Sequence, residues 1–442
     1  MSISTPPPTA QFDIDCYRQL GLVPNNTGAK TINKNRLNAK LADRNVKGRF
    51  NLPGDDWYFD GTITPPERTG FQFRGVSWSR NASAADFVGS GWGGNSSTRL
   101  RWHGNNTDPQ IFTNGWGTYI SDMLLGGQEV GQSRCKIGIH YKPNPNPTPP
   151  NAAHLFLDNL FFDGHEIGIL MRRDLTAQDG SGNFSADQDP HADNLYINRA
   201  IFRQMQDSAV WVGTDQSAGN YINRVSMVGA ANADVPIFRI ERGGKTGIGE
   251  VSVLNNCTIF EVHRQSTNNN DLFCGHFILD GQVTDCALVN FKNDFPLNRT
   301  AFSGITFQSG MIPHNAGFVS NWLGNPMVDC GSPSAGRFCT INLYNVHYIP
   351  PRAFRLNGLV DGTDKYICRL NCYNCGFNLG TNSLAEAMTT DSTVLWEANF
   401  FGCYDRFSTN VTSNWGVGYR TTIGGVSVPI VSLNSGDLPT FA

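Results

Sequence analysis

The sequence predicts an all-β chain whose short strands stack in parallel as a solenoid, a parallel β-helix. Three observations lead there. Only 16% of the 442 residues are charged, while 47 are Gly and 44 are Asn. Helical bundles and coiled coils need Lys, Glu and Arg in bulk on their exposed faces, and this composition supplies turns instead. A phrase made of a branched or aromatic residue, then Asn or Asp, then two apolar residues recurs as LFLDNLFF (155–162), LYINRAIF (195–202), NYINRVSM (220–227), VLNNCTIF (253–260) and QVTDCALV (282–289). It returns later as LYNVHYI, CRLNCYN and WEANFFG, with 25 residues from Asn198 to Asn223 and 26 each from Asn345 to Asn371 and from Asn371 to Glu397. Such periods mark repeat architectures. Between the phrases lie short β-like runs broken by Gly, Asn, Asp or Ser, without 3.6-residue periodicity, which disfavours helical solenoids.

Stacking like on like makes further expectations. Cys257, Cys286 and Cys372 each follow the Asn or Asp of the phrase and read as an inward ladder of small apolar side chains. The Asn and Asp positions read as a turn ladder whose amides satisfy the backbone. With 28 Phe, 9 Trp and 12 Tyr the chain can bury a long core. A net charge of −3 removes the electrostatic reason to expect nucleic acid or an anionic membrane as partner. No run approaches the roughly 18 apolar residues of a membrane span, so no membrane insertion is expected.

The 11 cysteines are odd in number and scattered, which suits reduced thiols rather than a disulfide framework. Cys368, Cys372 and Cys375 have no partner set at zinc spacing. Asp187, Asp189, His191 and Asp193 alternate in a polar loop, but Pro190 interrupts them and no EF-hand Glu follows. Neither metal nor cofactor is expected.

Taken in order, residues 1–32 read as an N-terminal arm and NKNRLNAKLADR (33–44) as a short amphipathic helix with Leu37 and Leu41 four apart. Leu52, Pro53, Gly54, Tyr58, Gly61, Pro65, Phe71, Phe73 and Gly75 follow as strand and turn residues. This helix and the run after it resemble the entry coil of pectate-lyase-like right-handed β-helices, including phage tailspikes. The resemblance implies a helix capping the open end of a right-handed parallel β-helix that spans 33–407, and it specifies fold rather than chemistry. KPNPNPTPPN (142–151) is a stiff spacer, and 174–193 and 263–271 are loop insertions of the kind a solenoid carries on one face. The segment 408–442 lacks the phrase and is expected to cap the last coil or contact another subunit.

A candidate site comes from aligning GILMRRD, AVWVGTD, PIFRIERG, HFILDGQ and AFRLNG. Alternation turns Ile169, Met171, Val210, Val212, Phe238 and Ile240 inward. One outward column then reads Leu170, Trp211, Arg239, Ile278, Arg355, and the next Arg172, Gly213, Glu241, Asp280, Asn357. On adjacent strands Glu241 and Asp280 would lie about 5 Å apart, the carboxylate separation of retaining glycoside hydrolases. They are the expected catalytic pair. Trp211 would offer a flat face to a sugar, and Arg172, Arg239 and Arg355 would hold substrate. The alternative is turn residues and a solvated ion-pair ladder. The paired-Asp element of polygalacturonases and the Arg-x-Pro-x-x-Arg element of pectate lyases are missing.

The function expected is that of a tailspike-like virion adhesin that binds and cleaves a cell-surface polysaccharide. A non-catalytic receptor-binding spike and a secreted bacterial polysaccharide lyase or hydrolase are the alternatives. The N-terminal segment has neither a basic n-region nor an apolar h-region, so a virion protein made in the host cytoplasm is expected, or an extracellular one if a signal peptide has been removed. The resemblance also implies a homotrimer, with other virion proteins as further partners.

Overall fold

The computed structural model describes residues 12–43, 48–65, 71–76, 97–113, 117–129, 131–142, 152–172, 175, 192–213, 220–228, 235–240, 246–254, 258–262, 273–283, 287–291, 302–311, 328–329, 339–347, 354–356, 359–361, 364–366, 368–377, 388–390, 396–405, 415–421 and 427–428. Beyond residue 239 its side chains are described within 342–345, 370–377 and 399–403. Among the described residues the fold is all-β, with parallel sheets and one α-helix. No helix among them is long and apolar enough to cross a membrane.

The chain opens with β1 (Phe12–Asp15), a 3₁₀ turn (Thr27–Ala29) and α1 (Lys30–Leu41). The helix starts ahead of residue 33 because Asn26 caps the turn that feeds it, its side chain accepting from the Gly28 N–H at 2.9 Å. Leu37 and Leu41 are buried, as their spacing predicts. Asn33, buried on the same helix, accepts from the Val23 N–H and donates to the Val23 carbonyl, which ties the entering chain down.

The strands that follow are β2 (Gly48–Asn51), β3 (Asp56–Phe59), β4 (Gln72–Arg74), β5 (Arg99–Trp102), β6 (Pro109–Thr113), β7 (Thr118–Gly126) and β8 (Ile137–Tyr141). Next come β9 (Ala152–Asp163), β10 (Ile167–Met171), β11 (Ala192–Arg203), β12 (Ser208–Val212), β13 (Asn220–Val228), β14 (Pro236–Ile240), β15 (Thr246–Leu254) and β16 (Thr258–Val262). Then β17 (Phe273–Val283), β18 (Ala287–Phe291), β19 (Phe302–Met311), β20 (Val328–Asp329), β21 (Cys339–His347) and β22 (Phe354–Leu356) continue the alternation. A small antiparallel pair, β23 (Leu359–Asp361) and β24 (Asp364–Tyr366), interrupts it. The last strands are β25 (Cys368–Tyr373), β26 (Gly376–Phe377), β27 (Met388–Thr390), β28 (Trp396–Asp405), β29 (Trp415–Thr421) and β30 (Ser427–Val428).

From β6 to β20 each strand pairs in parallel with the strand two places on, so odd strands build a large sheet and even strands a small one. The small sheet ends through β22 and β27, the large one through β21, β25 and β28. At its N-terminal end the large sheet is split. β1, β2 and β4 line up on the first half of β7, while β3 and β5 line up on its second half. At the other end β29 runs antiparallel to β28 and covers its edge.

The split persists as a bend inside β7, β9, β11 and β13. Asp122, Asn159, Arg199 and Arg224 all have φ between 52° and 60°, and the flanking register puts them in one column. A single left-handed residue turns the strand without ending it, and Asn and Asp tolerate that conformation best. At the Asn and Asp positions expected to form a turn ladder that satisfies the backbone, the side chains bond to one another instead. Asn159 Nδ2 donates to Asp122 at 3.0 Å, and near the C-terminal end Asn374 donates to Asn345 at 2.7 Å.

Inward residues of both sheets merge into one core that includes Ile139, Ile169, Val210 and Phe238 from the small sheet and Leu157, Phe162, Ile197 and Phe202 from the large. Phe162 and Phe202 stack at 4.8 Å. They fit because Gly168 lies opposite, where an added Cβ would meet Phe202 at 2.6 Å.

Several expectations are corrected by the register. Asn371 pairs with Asn342 and Asn399, so the C-terminal repeats are 29 and 28 residues rather than 26. β1 belongs to the large sheet and falls within the residues expected to be an arm. Cys372 is buried but stands between Leu343 and Phe400, not in a cysteine ladder. Cys257 and Cys286 lie outside the described residues.

Candidate functional site

In the phrase LYINR, Leu195 and Ile197 are buried in the core, and Tyr196 and Asn198 therefore face outward. The parallel register repeats that choice on neighbouring strands. Tyr119, Phe156, Tyr196 and Tyr221 share one column on β7, β9, β11 and β13. Phe156 and Tyr196 stack at 4.7 Å and 8°, Tyr196 and Tyr221 at 5.5 Å and 11°. Two residues on, Asp158, Asn198 and Asn223 form a second column.

The columns are cross-linked. Asp158 accepts from the Tyr119 hydroxyl at 3.1 Å and from the Asn198 amide at 2.9 Å. Burial, and after it the Asp158 carboxylate, push Tyr119 above the ordinary phenol range, so it remains a hydroxyl donor at neutral pH. Between the columns lies a shallow hollow of about 300 Å³ lined by Tyr119, Asp158, Tyr196, Asn198, Tyr221 and Asn223, among others. Because the rings stack plane to plane, the interior of the column presents edges and hydroxyls outward. Such a surface offers alternating hydrogen-bond donors and acceptors on an apolar floor, a match for a polyhydroxylated chain.

The same two outward positions continue to the C-terminal end with their chemistry exchanged. Asn342, Asn371 and Asn399 bond amide to amide at 2.9 Å each. Tyr344, Tyr373 and Phe401 stack beside them at 4.6 and 5.1 Å.

The residues expected to act on substrate lie elsewhere. Leu170, Trp211 and Arg239 do share a register column, and Arg355 belongs to it, but Glu261, Asn290 and Asp329 stand between Arg239 and Arg355. The segment HFILDGQ is part of β17 and pairs with β15 and β19 in the large sheet. Asp280 is therefore not on a strand adjacent to β14, and the assigned register for a Glu241–Asp280 pair is corrected. Glu241 itself lies outside the described residues, as do Asp187, Asp189 and His191.

Trp211 does face away from the main core, but it is only 6% exposed and packs with Ile137, Ile167 and Leu170. Arg239 lies 4.5 Å from its ring centroid and Arg172 5.6 Å. Arg239 also pairs with Asp207 at 2.6 Å. Arg172 is fully buried. These contacts make Trp211 a packing and cation–π centre with little face left for a sugar.

A second charged group was not singled out in the sequence. Arg101 bonds Asp56 at 3.0 Å and Glu129 at 3.3 Å, and Glu129 reaches His103 at 3.0 Å. Burial opposes the charge on Arg101, but Asp56 and Glu129 outweigh it and hold its pKa above the usual value. Each member is satisfied by another, which reads as an outward-facing structural network. Among the described residues no group of three or more His, Cys, Asp or Glu is placed to hold a metal ion.

Comparison of the chain with family models, with curated proteins and with solved structures found no significant match.

Proposed function

We propose that this chain is a right-handed parallel β-helix of the tailspike type, a virion adhesin whose aromatic and amide strip binds a cell-surface polysaccharide. The observation that carries the reading is the strip itself, two columns of outward rings and amides repeated at strand spacing along the large sheet. The strict alternation of two parallel sheets, with a left-handed residue in register on β7, β9, β11 and β13, supports the winding. A right-handed sense follows from the strong preference of parallel crossovers.

The reading is of binding rather than cleavage. The strip's one carboxylate, Asp158, is taken up by Tyr119 and Asn198, and Asp280 of the carboxylate pair expected from the sequence lies on β17 of the large sheet, not on a strand beside β14. A homotrimer made in the host and carried on the virion goes with this reading, and light scattering at micromolar concentration checks it. The direct test is a panel of purified capsular polysaccharides and lipopolysaccharide O-chains, scored for binding and for release of reducing ends. Binding without shortening is the expected result. Release of reducing ends restores a hydrolase, and no binding to any member sinks the proposal.

A further inference from the structure

We infer that the strip contains a slot one strand wide that seats a single pyranose ring of the polysaccharide against Tyr221. The inference rests on the reading of the strip as a glycan-binding surface and goes on to locate its specificity. It comes from β15, which reads TGIGEVSVL.

Gly247 is in register with Tyr221 on one side and with His276 on the other. Ile222 pairs with Ile248, which sets Gly249 beside Asn223. Both outward positions of this half-strand therefore lack a side chain, while the strand before it carries Tyr221 and Asn223. Glycine weakens a strand interior, and where it recurs it marks a bulge or the close approach of something else. Gly249 is explained by the first reason, since the pairing of β15 with β17 shifts between Ile248 and Glu250. Gly247 lies in the regular part of the register and fits the second.

The dimensions are those of one ring. Strands lie about 4.8 Å apart, so the backbones carrying Tyr221 and His276 are separated by about 9.6 Å, with a layer between them to which Gly247 contributes no side chain. The rings before the gap repeat at 4.7 and 5.5 Å, so a ring entering the layer continues the stack. Tyr221 is ready for it. One face of the phenol is covered by Tyr196, and the residue is 50% exposed. On the β13 side the slot is flanked by Tyr221 and Asn223, an aromatic face and an uncharged amide. The sugar's axial C–H face packs on the phenol, and its hydroxyls exchange hydrogen bonds with the Asn223 amide.

The experiment uses the full chain and whichever polysaccharide of the panel it binds. Gly247→Phe supplies the missing ring from within and is expected to fold with an unchanged far-ultraviolet spectrum while binding falls at least tenfold. Tyr221→Ala, which removes the stacking face without filling the slot, is expected to weaken binding by about tenfold as well. Ile32→Ala, at an exposed position on α1 outside the strip, should stay within about threefold. In the native complex, ring-current shifts should move sugar C–H resonances upfield, and Tyr221→Ala should abolish them. If Gly247→Phe fails to fold, Tyr221→Ala and the ring-current shift decide. Native-like binding by folded Gly247→Phe or by Tyr221→Ala overturns the slot and leaves the strip standing. Failure of the unaltered chain to bind any glycan removes both.

Discussion

Replacing Arg203 by Met tests how the stacked strands carry buried charge. Asp163 on β9 and Arg203 on β11 are register partners and bond in a two-pronged arrangement, Nε to Oδ1 at 2.8 Å and Nη2 to Oδ2 at 2.6 Å. Both are buried. Burial raises the pKa of Asp163 above the usual carboxylate value, although Arg203, then Arg101 and Arg134, pull it down. Burial likewise lowers the pKa of Arg203, against the pull of Asp163. Desolvation thus outweighs attraction on both sides, as expected for an ion pair taken out of water. Arg203→Met removes the largest of the opposing pulls and leaves a buried carboxylate short of its partner, a loss of about 3–5 kcal/mol at neutral pH. The pH dependence follows from the sign of the shift. A carboxyl whose folded pKa lies above its unfolded one contributes fully below the unfolded pKa, and that contribution is lost as pH rises through the folded pKa. In Arg203→Met the folded pKa moves further up, so the deficit should be small at pH 4 and grow towards pH 7. Urea unfolding followed by tryptophan fluorescence at both pH values measures it, and the double variant Arg203→Met/Asp163→Leu should recover most of the loss. A deficit under about 1 kcal/mol at pH 7, or one equal at both pH values, refutes the reasoning.

Local pattern was legible in the sequence, and long-range register was legible only where the pattern carried a marker. Leu37 and Leu41 mark the buried side of α1, and the inward choices Ile169, Met171, Val210, Val212 and Phe238 all lie in the core. Period-two alternation is enough for that, because it needs only the residue and its neighbours. Which sheet a strand joins is a different question, and alternation does not answer it. TGIGEVSVL replaces the aromatic and Asn markers of the phrase by Gly247 and Gly249, so the repeat vanishes at β15 and the count slips. VLNNCTIF then looks like a repeat unit although it spans the end of β15 and the start of β16, and HFILDGQ looks like a small-sheet strand although it continues the column of Tyr221. The two glycines that open the slot also hide the register. The strip itself was visible as LFLDN, LYINR and NYINR, but an aromatic two positions before Asn or Asp reads as fold until the strands are stacked and the side chains prove to be outward.

Three further predictions concern the interior and the turns. His165 is fully buried with its pKa pushed down to about 3 by burial and, after it, by Arg134, and it bonds Gln110 at 2.9 Å. The unfolded chain gains its proton first, so stability falls by up to about 1.4 kcal/mol per pH unit between about pH 6.5 and 3, and His165→Gln should flatten that slope in unfolding titrations. Cys16, Cys135, Cys372, Cys375 and Cys403 are buried free thiols, and burial raises Cys16, Cys135 and Cys372, while for Cys403 the contact with Cys375 leads and burial follows. Mass spectrometry should find all five unlabelled by iodoacetamide in the folded protein and labelled in urea; rapid native labelling of any would contradict their placement. Asn374 closes the set. It sits at φ 52° and donates to Asn345 at 2.7 Å, while Gly402, the next residue in the column, takes φ 61° without any side chain. Alanine there loses the amide bond, a cost of about 0.5–1.5 kcal/mol, and must hold a left-handed backbone, a cost of about 1–2 kcal/mol. Glycine loses only the bond and keeps the conformation at little strain. Asn374→Gly should therefore be the milder change by about 1 kcal/mol in chemical unfolding, and an Asn374→Ala variant equal to it in stability would show that the ladder of amides, not the left-handed turn, is what that column of residues requires.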